Sequence, residues 1–276
     1  MESMQKRSIP KSGELLPVIG CGTYVGFDVA ASDVPGTELP DVVAQLYRAG
    51  GTVLDTSPMY GRAEAAIGKL LAHHGSRSET FVATKVWTKG RAAGERQMNS
   101  SMKAMGVESV DLMQIHNLVD FNEHIKTLRS WKEQGRIRYV GATHYTSSAY
   151  DELEKVMRAE PLDFVQLNYS IADRVAERRL LPLAMEKKIA VMVNLPFGSG
   201  GLLRDLRTRP VPAWAAAYGC KTWSCLLLKF ILQHAAVTCV IPGTGSSQHM
   251  AENAAAGRGP AADAAFRRQL MAEFNG

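Results

Sequence analysis

Eight short apolar runs, each followed by a stretch of helical periodicity, constrain this chain more than any other feature. The runs are Val18–Thr23, Thr52–Ser57, Phe81–Val86, Val110–His116, Arg138–His144, Phe164–Tyr169, Ala190–Phe197 and Val237–Pro242. Between them, Asp41–Ala49, Ala63–His73, Ser148–Arg158 and Trp223–His234 space their apolar residues for one helix face. A strand that is apolar at nearly every position must be covered on both faces, and a parallel sheet flanked by helices does this. Eight such units in 276 residues suit an α/β fold closed into a (β/α)8 TIM barrel, one domain over residues 1–276. An open doubly wound sheet is the runner-up; it needs fewer strands and often a Gly-rich first turn, and no GxGxxG occurs.

Residues 1–17, containing "IPKSGELLP", predict a short N-terminal β-hairpin with a Ser-Gly turn, placed to plug the bottom of the barrel. The break around Pro210 and Pro212 predicts a loop with an extra short helix at Ala213–Tyr218. Hydrophobic residues at 46% and charged residues at 21% are those of an ordinary globular protein. No signal-like apolar stretch opens the chain and no run of about 18 apolar residues exists, so a cytoplasmic protein without a membrane partner is expected. The net charge of +5 is scattered, which argues against a nucleic-acid partner and suits a small anionic ligand. The four cysteines (Cys21, Cys220, Cys225 and Cys239) show no CxxC and are expected to be buried free thiols. His73-His74 has no partner at ligand spacing, so no metal site is expected. No feature of the sequence sets an oligomeric state.

In a barrel of this kind, chemistry collects at the C-terminal ends of the strands. Asp55 lies near the end of the second run, Lys85 near the end of the third, and His116 ends the fourth; Tyr60 is in the loop after the second. Singly, each has an ordinary structural explanation: a helix cap, a solvated lysine, a satisfied core histidine. Together on neighbouring strands they form a usable set. A lysine ammonium beside a tyrosine stabilises the phenolate and lowers its pKa, an aspartate anchors that lysine, and a neutral histidine orients a carbonyl oxygen. Such a set can deliver a proton to a carbonyl while a nicotinamide cofactor supplies the hydride.

The stretches "GGTVLDTSPMYGRAE", "ATKV" and "DLMQIHN" carry these four residues, and with "VIGCGTY", "QLNYS" and "IPGTGSSQHMAEN" they resemble the aldo-keto reductase family, of bacterial type with a short C-terminal loop, over nearly the whole chain. The resemblance implies NAD(P)H-dependent reduction of small aldehydes and ketones, with Tyr60 as general acid, Lys85 and Asp55 tuning it and His116 orienting the carbonyl. It places Gly22, Thr23 and Asp55 at the nicotinamide ribose, and Thr143, His144 and Gln166 at the carboxamide. It places Gly198, Ser199 and Leu202 at the pyrophosphate, and Thr244, Ser246, His249, Glu252 and Asn253 at the adenosine end.

The chain departs from the family pattern at several positions. Thr143-His144 stands where many relatives have Ser-Asn. Asn194 stands where many carry the aromatic residue that stacks on the nicotinamide, with Phe197 as a substitute ring. Gly243 and His249 stand where lysine or arginine meets the 2′-phosphate; NADPH is the expected cofactor, with NADH the alternative. The chain ends soon after Asn253, so an open substrate pocket bordered by Tyr24, Phe27, Trp87 and Asn117 is expected. Two other functions compete: a cofactor-binding sensor or regulatory barrel with little turnover, and an aldolase using Lys85 as a Schiff base, which Asp55 opposes by holding the lysine protonated.

Overall fold

The computed structural model describes residues 3–75 and 77–275; residues 1, 2, 76 and 276 of the predicted domain, including the first two of the predicted hairpin segment, lie outside the described residues. Two short strands, β1 (Lys6–Ser8) and β2 (Leu15–Pro17), pair antiparallel. They are followed by β3 (Cys21–Gly22), β4 (Val53–Asp55), β5 (Phe81–Val86), β6 (Val110–His116), β7 (Ile137–His144), β8 (Phe164–Asn168), β9 (Ala190–Asn194) and β10 (Val237–Val240). These last eight form one parallel sheet in sequence order. Parallel bridges Ile19↔Val240 and Gly22↔Gly243 join its two edges, so the sheet closes into the barrel.

Helices α1 (Leu39–Arg48), α2 (Ala63–His74), α3 (Arg91–Met105), α4 (Phe121–Glu133), α5 (Tyr150–Ala159) and α6 (Leu180–Glu186) follow the barrel strands in turn. After β9 come α7 (Gly201–Asp205), the predicted short helix at Ala213–Tyr218 as a 3-10 helix, and α8 (Trp223–Leu232). The chain ends with α9 (Ser247–Ala255) and α10 (Ala264–Asn275). The last helix packs on α8 with Phe266 and Leu270 buried.

Two apolar layers result from the two-residue period of the strands. Outward positions such as Val82, Met113, Ala142, Val165 and Val193 join the helices in the large core. Inward positions at the lower end, Phe81, Leu112, Tyr139, Phe164 and Ala190, fill the barrel. Phe81, Tyr139 and Phe164 meet with ring centres 5.5–6.0 Å apart. The hairpin supplies Ile9 and Leu16 to this inner cluster, so it does close the bottom. Its turn is held by Gly13, with φ +76° and its N–H donating to the Ile9 carbonyl at 2.8 Å. That backbone conformation is cheap only without a Cβ.

The cysteine expectation fails for half of the set. Cys220 and Cys225 form a disulfide, while Cys21 and Cys239 are buried free thiols. Thr222 caps α8 by accepting the Cys225 N–H, and this turn brings the two sulfurs together across five residues.

Candidate active site

Up the strands, the inward positions change from apolar to polar. Above Phe81 and Ala83 comes Lys85; above Leu112 come Gln114 and His116; above Tyr139 come Gly141 and Thr143; above Phe164 come Gln166 and Asn168. The strand register sets these groups side by side: Gly22 against Asp55, Lys85 against Gln114, His116 against Thr143, and Thr143 against Gln166. Gly141 leaves room for Gln114, because a Cβ there would lie 3.0 Å from the glutamine side chain.

At the centre is a buried ion pair. Lys85 Nζ donates to Asp55 Oδ2 at 2.7 Å and to the Thr56 carbonyl at 2.7 Å, and both charged side chains are nearly inaccessible. The other carboxylate oxygen, Oδ1, accepts from Gln166 Nε2 at 3.0 Å and Gln114 Nε2 at 3.3 Å. Burial pulls the Lys85 pKa down, but Asp55 and the Tyr60 phenol outweigh it, and the net direction is upward. The ammonium form is thus secured, which works against a Schiff-base role.

Tyr60 lies above this pair. The Lys85 ammonium is 5.1 Å from its ring centre, and the ring meets His116 edge-on at 5.9 Å. The expected lowering of the phenol pKa by Lys85 is not the net result. Burial pushes it up, Lys85 pulls it down and Asp55 pushes it up again, leaving it above the ordinary value. Burial is the largest cause, and Asp55, in contact with the ammonium, works against part of its field at the phenol. His116 meets the expectation of neutrality: burial first, then Lys85 and His144, lower its pKa to about 3.

The remaining expected contacts spread around the same mouth. Tyr24 is exposed and its ring lies 5.1 Å from Tyr60; Trp87 is also exposed, 6.4 Å from His116. Asn117 follows β6 in a left-handed conformation, with a buried Oδ1 that has no partner among the described residues. Phe27 departs from its expected place in the pocket. It is fully buried in the main core, where it packs with residues such as Val34. Phe197 is likewise a core residue, 8% exposed, which makes it a poor substitute for a stacking ring.

Thr23 is buried and donates its hydroxyl to the Asp55 carbonyl at 3.0 Å. Gln166 is committed at both ends: its amide donates to Asp55, and its oxygen accepts from Thr143 at 3.2 Å. His144 Nδ1 accepts the Thr146 N–H at 3.2 Å. At the end of β9, Asn194 keeps a buried Oδ1 without a partner among the described residues, and Asn168 does the same on the paired strand. Gly198, Ser199 and Gly200 all have positive φ, and Leu202 N–H donates to the Phe197 carbonyl at 3.2 Å. Of the seven non-glycine residues with positive φ among those described, all but Lys188 lie in loops after β3, β6 or β9. Backbone strain of this kind concentrates where loops are shaped for ligands.

The adenosine-end candidates cluster at the start of α9. Ser246 precedes the helix and its N–H donates to Thr244 Oγ1 at 3.1 Å; His249 is exposed, Asn253 is buried, and Glu252 accepts from Gln248 at 3.0 Å. Glu38, which the sequence did not single out, faces this helix start. Its carboxylate accepts from Ser247 N–H at 2.9 Å and Ser247 Oγ at 3.0 Å, which lowers its pKa. Among the described residues, no group of three or more His, Cys, Asp or Glu is placed to hold a metal, and no helix is long and apolar enough to cross a membrane.

The family model for the aldo/keto reductase family matches residues 18–268, which takes in every barrel strand and all four central groups. The chain belongs to the aldo-keto reductase family. Its relatives include methylglyoxal reductase YeaE of Escherichia coli, 28% identical over 263 residues, covering 91% of this chain and 89% of that one. A second E. coli relative, an NADH-specific methylglyoxal reductase, is 26% identical over 250 residues, covering 80% and 75%. An aldo-keto reductase of Klebsiella pneumoniae, solved in complex with NADPH, shares the fold with a TM-score of 0.82 at 24% identity, covering 99% and 95%.

Besides Glu38, the sequence reading passed over Gln114 and Ser57. Ser57 lies between two residues that were singled out, and its hydroxyl is 2.9 Å from His116 Nδ1. Only the direction its side chain takes after β4, toward His116, gives it a role.

Proposed function

We propose that this aldo-keto reductase reduces small aldehydes and ketones with a nicotinamide dinucleotide, Tyr60 giving its proton to the carbonyl oxygen. The observation that carries the reading is the convergence of Tyr60, His116 and the Lys85–Asp55 pair on one barrel mouth. The phenol is protonated at neutral pH, as a proton donor must be. Neutral His116 can donate to the same carbonyl oxygen and hold it toward the phenol. As the proton leaves Tyr60, the ammonium of Lys85 stabilises the phenolate, and Asp55 holds that ammonium in place.

The residues at the mouth fit a dinucleotide. The unpartnered buried oxygens of Asn168 and Asn194 await donors such as a carboxamide, and the strained Gly198–Gly200 segment and the start of α9 offer backbone N–H groups to anionic groups. When bound, the cofactor supplies the hydride. NADPH is the proposed cofactor, with NADH as the alternative; the two relatives named as methylglyoxal reductases favour a small 2-oxoaldehyde as substrate. Cytoplasmic residence is part of the proposal, and the Cys220–Cys225 bond is its sharpest challenge, since a reducing cytosol rarely keeps such bonds.

The test is NAD(P)H oxidation with methylglyoxal and a panel of simple aldehydes, comparing the parent with Tyr60→Phe. A loss of at least about a hundredfold in kcat with cofactor affinity retained supports Tyr60 as the acid. Parental rates in the variant refute that assignment. Cofactor binding without turnover across the panel in the parent favours the sensor function instead.

A further inference from the structure

A neutral imidazole has one N–H, and only the nitrogen that carries it can donate to a substrate oxygen. Which nitrogen of His116 carries it depends on its surroundings. Nδ1 lies 2.9 Å from Ser57 Oγ, and Ser57 is fully buried. The serine oxygen already accepts the Met59 N–H at 3.3 Å. Among the described residues no other acceptor is in hydrogen-bond contact with the serine O–H. If Nδ1 carried the hydrogen, it would donate to Ser57 and leave the serine proton buried without an acceptor, which is unfavourable. If Ser57 donates to Nδ1, every group is satisfied.

We propose that Ser57 is a positioning residue that fixes His116 in its Nε2–H tautomer. The ring then presents a donor to the reacting carbonyl, and Nε2 has no hydrogen-bond partner of its own among the described residues. Pro58 limits the freedom of the chain right after Ser57, and β4 fixes it just before, so the hydroxyl sits on a rigid corner. The reverse tautomer would put a lone pair against the carbonyl oxygen, which repels it. The protonated ring is excluded at neutral pH by burial and by Lys85, so the choice is between two neutral forms.

The catalytic consequence rests on the reductase reading; the tautomer does not. The experiment therefore has a readout that needs no turnover. Long-range 1H–15N spectra of the unliganded protein separate a protonated ring nitrogen from an unprotonated one, with His116→Asn assigning the signal. The parent is expected to show His116 with Nδ1 unprotonated and Nε2 protonated. Ser57→Ala is expected to shift the signal toward a mixture or to the Nδ1–H form, lower kcat for carbonyl reduction about tenfold and leave cofactor Kd unchanged. Ser57→Thr, which keeps the hydroxyl, is expected to restore both the spectrum and kcat. A parent His116 with Nδ1 protonated overturns the proposal outright, with no need for a folded variant. So does a Ser57→Ala protein that keeps the pure Nε2–H form. A parent that shows the expected tautomer but no turnover with any carbonyl refutes the reductase reading and leaves the tautomer assignment standing.

Discussion

Replacing Lys85 with methionine would leave the Asp55 carboxylate buried without its counter-ion. The two groups are 2.7 Å apart, with side-chain exposures of 0% and 2%. At an effective dielectric of about 20, their attraction is of the order of 6 kcal/mol, from which the desolvation of both must be subtracted. Removing one partner keeps the desolvation cost and loses the attraction, so Lys85→Met should destabilise by about 3–5 kcal/mol. Asp55→Asn should cost a similar amount, because it leaves the ammonium with no charged partner among the described residues, only the Thr56 carbonyl and the Tyr60 phenol. The double variant differs in kind. The amide oxygen that Asp55→Asn introduces can still accept from Gln114 and Gln166, and no buried charge remains. Its loss should lie well short of the summed single losses, with a coupling of about 2 kcal/mol or more. Urea denaturation of the four proteins, with free energies taken at the midpoint region, measures this directly. Strictly additive losses would show that the pair is not an energetic unit and that the two amides alone hold Asp55. All three variants should also lose most carbonyl reduction, but only the free energies decide the point about coupling.

Three further outcomes follow from the same geometry. Glu38→Gln should tighten NADPH relative to NADH severalfold in fluorescence titrations, because a carboxylate facing the start of α9 opposes a phosphate there; an unchanged ratio would remove Glu38 from cofactor choice. His116 is protonated only near pH 3 in the fold, whereas the unfolded chain takes up that proton below about 6.5, so its contribution is complete above that value and is lost as pH falls toward 3. Between pH 7 and 5 the parent should lose about 2 kcal/mol more than His116→Asn in urea titrations, and equal losses would contradict the depressed pKa. Thiol titration of the unreduced protein in denaturant should find Cys21 and Cys239 only, with Cys220 and Cys225 appearing after reduction; four reactive thiols without reductant would rule out the disulfide.

Much of this was visible in the residues because burial on both faces leaves a strong mark. A parallel strand covered on both sides reads as an uninterrupted apolar run, and all eight predicted runs contain a barrel strand or overlap one closely. Ionisable residues near the ends of such runs therefore stood out, as Asp55, Lys85 and His116 did. Ser57 and Gln114 did not, since a serine or a glutamine at a strand end is common and only the inward direction gives it a role. Phe27 misled for the opposite reason: an aromatic residue close to a site in sequence can turn into the core. The Cys220–Cys225 bond depends on the turn that Thr222 caps at the start of α8, and a five-residue spacing alone carries no such instruction. Glu38 meets Ser247 across 209 positions of sequence, a contact that only barrel closure brings about.

The direction of the Tyr60 shift bears on how such a site works. A tyrosine ionised in advance would be a poor acid for reduction, since it would have no proton to give. Here burial keeps the phenol protonated, and Asp55 works against the pull of the nearby ammonium. With Tyr60 as the proposed acid, the same ammonium, 5.1 Å from the ring, would favour the phenolate left behind as a carbonyl oxygen takes the proton. The field of Lys85 is fixed, and it acts more strongly on a phenolate than on a neutral phenol, which on the proposed mechanism is the differential stabilisation that lowers a barrier. The pair also explains why the lysine is buried at all. A solvated lysine would be screened and mobile, whereas one fixed by Asp55 and the Thr56 carbonyl holds its charge at a set distance from the phenol proposed as the acid.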